Sequence, residues 1–154
     1  MIPSVAQPLQ GESAGLVSRL LASTVDFCII VVALAATYLG VAALRFLWNS
    51  RSFTFPTISL GVLLVVYSVF LGLYLAVSWI MTGRTFGDHL LGLRVIATRG
   101  RSLPPGRALA RAVLCVVFPV GLFWVAASRR NRSVQDLLVA SSVVYDWLSA
   151  PPAR

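Results

Sequence analysis

Lysine is absent from the 154 residues, and all thirteen basic side chains are arginine. Acid and imidazole are scarce: one histidine, His89, one glutamate, Glu12, and four aspartates. His89 stands beside Asp88, and no serine or cysteine has a base at recognisable spacing, so nucleophilic and metal-assisted catalysis lack their parts. No enzymatic activity, metal or other cofactor is expected. The two cysteines, Cys28 and Cys115, lie in separate apolar runs with no partner at ligand spacing, which argues against a disulfide framework or zinc site and for small hydrophobes. Charge is also sparse, at 12% against 58% hydrophobic residues, a balance that excludes an ordinary soluble globule. An arginine-only chain rich in alanine, valine and glycine points to a high-GC bacterial source.

What is present is long apolar sequence. Leu20 to Leu44 contains one charge, Asp26, and Ile58 to Met81 contains none, so each exceeds the roughly 20 residues needed to cross a bilayer as helix. The first run is too long for a signal peptide and lacks a small-residue cleavage pattern, so it reads as an uncleaved span. The net charge of +8 fits the positive-inside rule better than nucleic-acid binding, and no nucleic-acid partner is expected.

The linking segments fix an orientation. Thr82 to Arg111 holds six arginines against Asp88 alone, which places it in the cytoplasm. With two spans before it, the N-terminus is cytoplasmic too, and the 45–57 loop, with Trp48, Phe53 and Phe55, faces outward. Residues 1–15 and 147–154 read as loose tails flanking one domain over 16–146. Within the arginine-rich stretch, Thr85 and Asp88 have capping-box spacing, predicting a short interfacial helix. Leu93 to Thr98 (LRVIAT) and Ser141 to Tyr145 (SSVVY) read as short strands.

A third apolar run, 112–127, carries Pro119 and Gly121 near its middle. A straight crossing would put Arg129, Arg130 and Arg132 outside and separate the two strands by the bilayer. A kinked helical hairpin that enters and leaves on the cytoplasmic side removes both conflicts and is preferred, although a tilted helix over 105–127 is long enough to cross. The expected architecture is an all-α membrane protein with two transmembrane helices, a third kinked or re-entrant element, and a small cytoplasmic strand pair.

Two aspartates carry most of the interest. Arg19 and Asp26 are seven apart, on one helix face and about 10 Å apart along the axis. A carboxylate inside an apolar helix costs on the order of 3 kcal/mol on insertion scales, so Asp26 should point inward and find a partner, Arg19 or, from another segment, Arg111. Asp136, in "RRNRSVQD", follows Ser133 at N-cap spacing and can oppose a short helix's dipole. Arg84, Arg94, Arg129 and Arg130 offer a cytoplasmic interface for a partner or for anionic lipid headgroups.

Arg19 and Asp26 in the first span, then "TGRTFGDHLLGLRVI", "ARAVL" and "RRNRSVQDLLVASSVVY", occur in an order that resembles the RDD family of small bacterial membrane proteins across residues 15–145. The family's arginine and two aspartates would fall on Arg19, Asp26 and Asp136. Where family members commonly read G-K-R-L-L this chain has Asp88 and His89, and Gln135 stands where histidine is usual. The resemblance implies transport, in some members cation/proton exchange, and also modules attached to larger systems such as lipid importers. Two functions follow as expectations: an accessory subunit of a transport complex with a structural Arg/Asp pair, or an oligomeric cation/proton antiporter using Asp26 as carrier. Two or three helices are too few to enclose a pathway without other membrane proteins or further copies, and no internal inverted repeat is evident.

Overall fold

The computed structural model of the chain describes residues 11–97, 103–127 and 133–146. In order these form α1 (Leu16–Trp48), α2 (Leu60–Met81), α3 (Phe86–Leu90), β1 (Leu93–Ala97), α4 (Pro105–Val117), α5 (Trp124–Ala127), α6 (Val134–Val139) and β2 (Ser141–Tyr145). The helix α1, of 33 residues, is about 50 Å long and α2, of 22, about 33 Å. Both are long and apolar enough to cross a bilayer. Beyond Asp26, side chains such as Val32, Leu39, Leu44, Leu64 and Val65 point outward all round, as on helices meant for lipid. The chain is thus mainly helical with the two long apolar helices of a membrane protein.

Apart from the loop between α1 and α2, the other described residues gather at the end where α1 begins and α2 finishes. Thr85 opens α3 through a complete capping box with Asp88. The two short strands pair antiparallel, with Val95 opposite Val143. Leu93, Val95 and Val143 are almost fully buried against Ala22, Leu75, Trp79, Ala108 and Ala112 from α1, α2 and α4, which makes this end the core.

The third apolar run is broken. Helix α4 opens on Pro105, where a missing N–H costs nothing, and packs along α2 through Ala108 and Ala112. It stops at Phe118, held non-helical before Pro119, and continues as a 3-10 turn over Pro119–Phe123. Because α4 follows β1 and α6 leads into β2, the segment leaves and rejoins the same end of the molecule.

Two features depart from the sequence reading. Residues 11–14 are not a loose tail: Gly11 N–H donates to the Tyr145 carbonyl (2.8 Å), Tyr145 N–H to Glu12 (3.0 Å) and Ala14 N–H to Val143 (2.8 Å). The free edge of β2 offers unpaired backbone groups, and the incoming chain satisfies them. There is also an internal repeat, shorter than a transporter's. Thr85 and Ser133 each cap a short helix with an aspartate three residues on. Seven residues after each cap stands a left-handed residue, Gly92 (φ 63°) or Ala140 (φ 53°), and the strand begins at the next position. The register Leu93↔Tyr145, Ala97↔Ser141 is that of a local two-fold through the Val95–Val143 pair. The tails over 1–10 and 147–154, and Arg99, Arg101, Arg129, Arg130 and Arg132, lie outside the described residues.

Candidate functional site

The ion cluster at the core belongs to Asp136. The α6 capping box sets its position: Asp136 N–H donates to Ser133 Oγ (3.1 Å), and Ser133 N–H donates back to Asp136 Oδ2 (3.2 Å). Arg19 Nη1 donates to Oδ2 and Arg111 Nη1 to Oδ1 of the same carboxylate. Ser141 Oγ accepts from Arg111 (2.6 Å) and donates to Oδ1 (3.1 Å). Asp136 is fully buried, and both arginines are 4% exposed. Burial alone would raise the Asp136 pKa, but Arg111 and Arg19 together hold it below the ordinary carboxylate range. Arg19 Nε also donates to the Ala14 carbonyl (3.1 Å), and the Arg111 guanidinium lies over the Trp79 ring, 4.8 Å from its centroid.

Arg19 and Arg111 are therefore not the partners of Asp26, as their positions in the sequence suggested. None of the ion pairs among the described residues involves Asp26. Its Oδ1 accepts from Tyr74 Oη (2.7 Å) and from Gly87 N–H (2.8 Å) at the start of α3. Tyr74 Oη in turn accepts from Phe86 N–H (2.9 Å). A carboxylate seven residues into the run faces not the end of its own helix but the neighbouring α3. Gly87 is required there: a Cβ would collide with the Ala22 carbonyl and stand 3.0 Å from Asp26 Oδ1.

Asp88, the counterpart of Asp136 in the repeat, has no arginine in hydrogen-bond contact among the described residues. Its Oδ2 accepts from Thr85 N–H (3.2 Å) and Trp79 Nε1 (3.4 Å). Burial raises its pKa above the ordinary value, against the pull of the Thr85 bond. Arg84 and Arg94, expected to face a partner, both turn to Asp146 (2.6 and 3.1 Å) and clasp the end of the sheet. Sequence reading missed Asp146, Tyr74 and Trp79. A lone tyrosine or tryptophan in an apolar helix gives no local sign of the acid it meets.

Between α1, α2, α4 and the sheet is a cavity of about 400 Å³. The Val95–Val143 pair forms part of its lining, and most of the rest is apolar, including Leu71, Leu75 and Trp79. Arg19, Asp26, Thr85, Asp88, Arg111 and Gln135 contribute its buried polar groups. The exposed Ser23, Thr24 and Phe27 of α1 and Pro119 mark its mouth.

Two long apolar helices joined to a compact, ion-clamped end define a small integral membrane protein. The sequence profile of the RDD family matches residues 13–140, and the chain belongs to that family. Neither curated proteins nor solved structures include a match to it.

Proposed function

We propose that the chain is an accessory subunit of a larger transport assembly, such as a lipid importer, in the bacterial inner membrane. The Arg19–Asp136–Arg111 cluster in this reading is a structural clamp. It ties the start of α1, the α4 helix and the α6–β2 unit to one carboxylate, with its oxygens taken by arginine and serine. A group held in that way is a poor proton carrier. The observation that carries the subunit reading is the state of the two long helices. Past Asp26 only Ile30 and Ala42 of α1 are buried, and a Cβ on Gly40 or Gly61 would meet nothing. Close-packing positions are thus unused within the chain and free for another helix.

The orientation proposed has the N-terminus and the compact end in the cytoplasm, the 49–57 loop outside, and 105–127 as a re-entrant element. Pairing of β1 with β2 supports re-entry, since both ends of that segment meet at one sheet.

Affinity purification of tagged protein from gently solubilised native membranes tests the subunit reading. Stoichiometric recovery with other transporter components is expected, and recovery alone would overturn it. One observation favours cation/proton exchange as a second reading: Asp26, with no arginine paired to it among the described residues, lines the cavity beside Ser23, Thr24 and Tyr67. Proton-coupled cation flux in liposomes that is lost in Asp26→Asn would establish that reading instead.

A further inference from the structure

The cavity is built for something more specific than a lipid tail. Residues of its lining carry buried polar atoms that find no partner among the described residues. Gln135 is 2% exposed; its Nε2 donates to the Phe118 carbonyl (2.7 Å), while its Oε1 accepts no bond among the described residues. Arg111 Nε is likewise buried with no acceptor, although the Nη1 of the same side chain is fully engaged. Both hydrogen bonds to Asp26 fall on Oδ1, leaving Oδ2 as a second acceptor in the lining. An orphaned buried polar group costs on the order of 1–3 kcal/mol, so Gln135 Oε1 and Arg111 Nε leave the polar part of the lining under-satisfied.

The charge of the ligand follows from the same inventory. A cation entering the cavity would approach Arg19 and Arg111, and an anion would approach Asp26 and Asp88, all in the lining. Either sign would also lose its hydration in a space with mostly apolar walls. A neutral group that both donates and accepts meets neither penalty. A hydroxyl carries a donor and an acceptor on one atom, which suits a lining that holds both carboxylates, Asp26 among them, and guanidinium groups. The mouth sets where such a molecule comes from. Phe27 is eight residues past Arg19, about 12 Å deeper along α1, inside the apolar run. The opening therefore faces the hydrocarbon of the bilayer, and a volume of about 400 Å³ is within the range of small-molecule sites.

We propose that this cavity binds a neutral membrane-resident amphipath, an apolar chain ending in a hydroxyl, which enters sideways past Thr24 and Phe27. The inference concerns the isolated chain and does not depend on the subunit reading.

Photolabelling of the full chain in lipid nanodiscs tests it, with a long-chain alkyl alcohol bearing a diazirine as probe. Label should fall on the peptides that contain Ser23–Phe27 and Cys115, and unlabelled alcohol should displace it. The methyl ether of that alcohol, which accepts but cannot donate, should compete about tenfold more weakly, the equivalent of one lost hydrogen bond, and the carboxylic acid and alkylammonium of equal chain length should compete no better. Thr24→Trp, at an exposed position on the mouth, should remove the labelling while leaving the melting temperature unchanged. Label spread along the outer faces of α1 and α2 and indifferent to competitor would overturn the proposal. So would equal competition by alcohol, ether and acid.

Discussion

Asp26 and Asp136 carry the same functional group in opposite surroundings, and their isosteric variants should separate accordingly. Asp136→Asn leaves Arg19 and Arg111 buried without their carboxylate, a loss on the order of 3–5 kcal/mol. Thermal unfolding in detergent should show little cooperative structure in that variant, and its level in the membrane should fall. In Asp26→Asn a single amide oxygen can still accept from Tyr74 and Gly87, since both bonds already share Oδ1. Its expected cost is no more than about 1 kcal/mol, and equal loss in the two variants would refute the assignment of the clamp to Asp136. Asp88 supplies a pH dependence. Its pKa is raised by burial, so the protonated form favours the fold, and stability is lost as pH rises from the unfolded value, about 3.9, through the native one. Asp88→Asn keeps an acceptor for Thr85 and Trp79 and cannot ionise. Its melting temperature should exceed that of the native protein at neutral pH, with the difference vanishing below about pH 4. The sequence made these residues visible but not their partners. Seven-residue spacing put Arg19 and Asp26 on one face, yet their heights along α1 differ by about 10 Å, and what each meets depends on which segment packs at that height. Asp26 lies level with the N–H of Gly87 in α3, whereas Arg19 lies level with α6, a segment more than a hundred residues away whose position no local pattern encodes.

Elements were more legible than contacts where a local signal was complete. The Thr85–Asp88 capping box formed as its spacing implied, Ser133 caps α6 and there makes a full box with Asp136, and both β-branched stretches became strands. Repetition of the helix–turn–strand unit escaped notice because the two copies share almost only the cap, the acid and the turn, and the turn is glycine in one and alanine in the other. That difference is itself testable. Ala140 adopts φ 53°, where a Cβ costs roughly 1–2 kcal/mol, while Gly92 occupies the equivalent place without strain. Ala140→Gly should therefore raise the melting temperature, offset in part by the added freedom of the unfolded chain. Gly87→Ala should act in the other direction. Backbone, not a flexible side chain, stands in the way of the new methyl group at the Ala22 carbonyl. A loss of about 1–3 kcal/mol is expected from the displacement of α3 from α1, together with weakening of the Gly87 bond to Asp26. An unaltered melting curve for Gly87→Ala would mean that α3 does not sit against α1 as closely as described.

At the scale of the whole molecule, the polar half and the apolar half are separate. Every ion pair among the described residues, the two-stranded sheet and the N-terminal segment 11–14 gather at one end, while α1 and α2 extend from it with outward-facing apolar side chains. A bilayer about 30 Å thick can cover the extended part, but covering the compact end would strand its arginines. With 105–127 beginning and finishing at that end, the proposed re-entrant orientation keeps it on one side of the membrane. Single-cysteine labelling decides between re-entry and a third crossing. In a chain with Cys28 and Cys115 replaced by serine, a cysteine at Ser52, exposed in the loop between α1 and α2, should react with an impermeant maleimide added to intact spheroplasts. Cysteines at exposed Arg107 and at Trp124 should both stay unreactive until the membrane is opened with mild detergent. Labelling of Ser52 and Trp124 together from outside, with Arg107 protected, would mean that the 105–127 segment crosses. The antiparallel pairing of β1 with β2 could then not persist in the membrane, because its two strands would be divided by the bilayer.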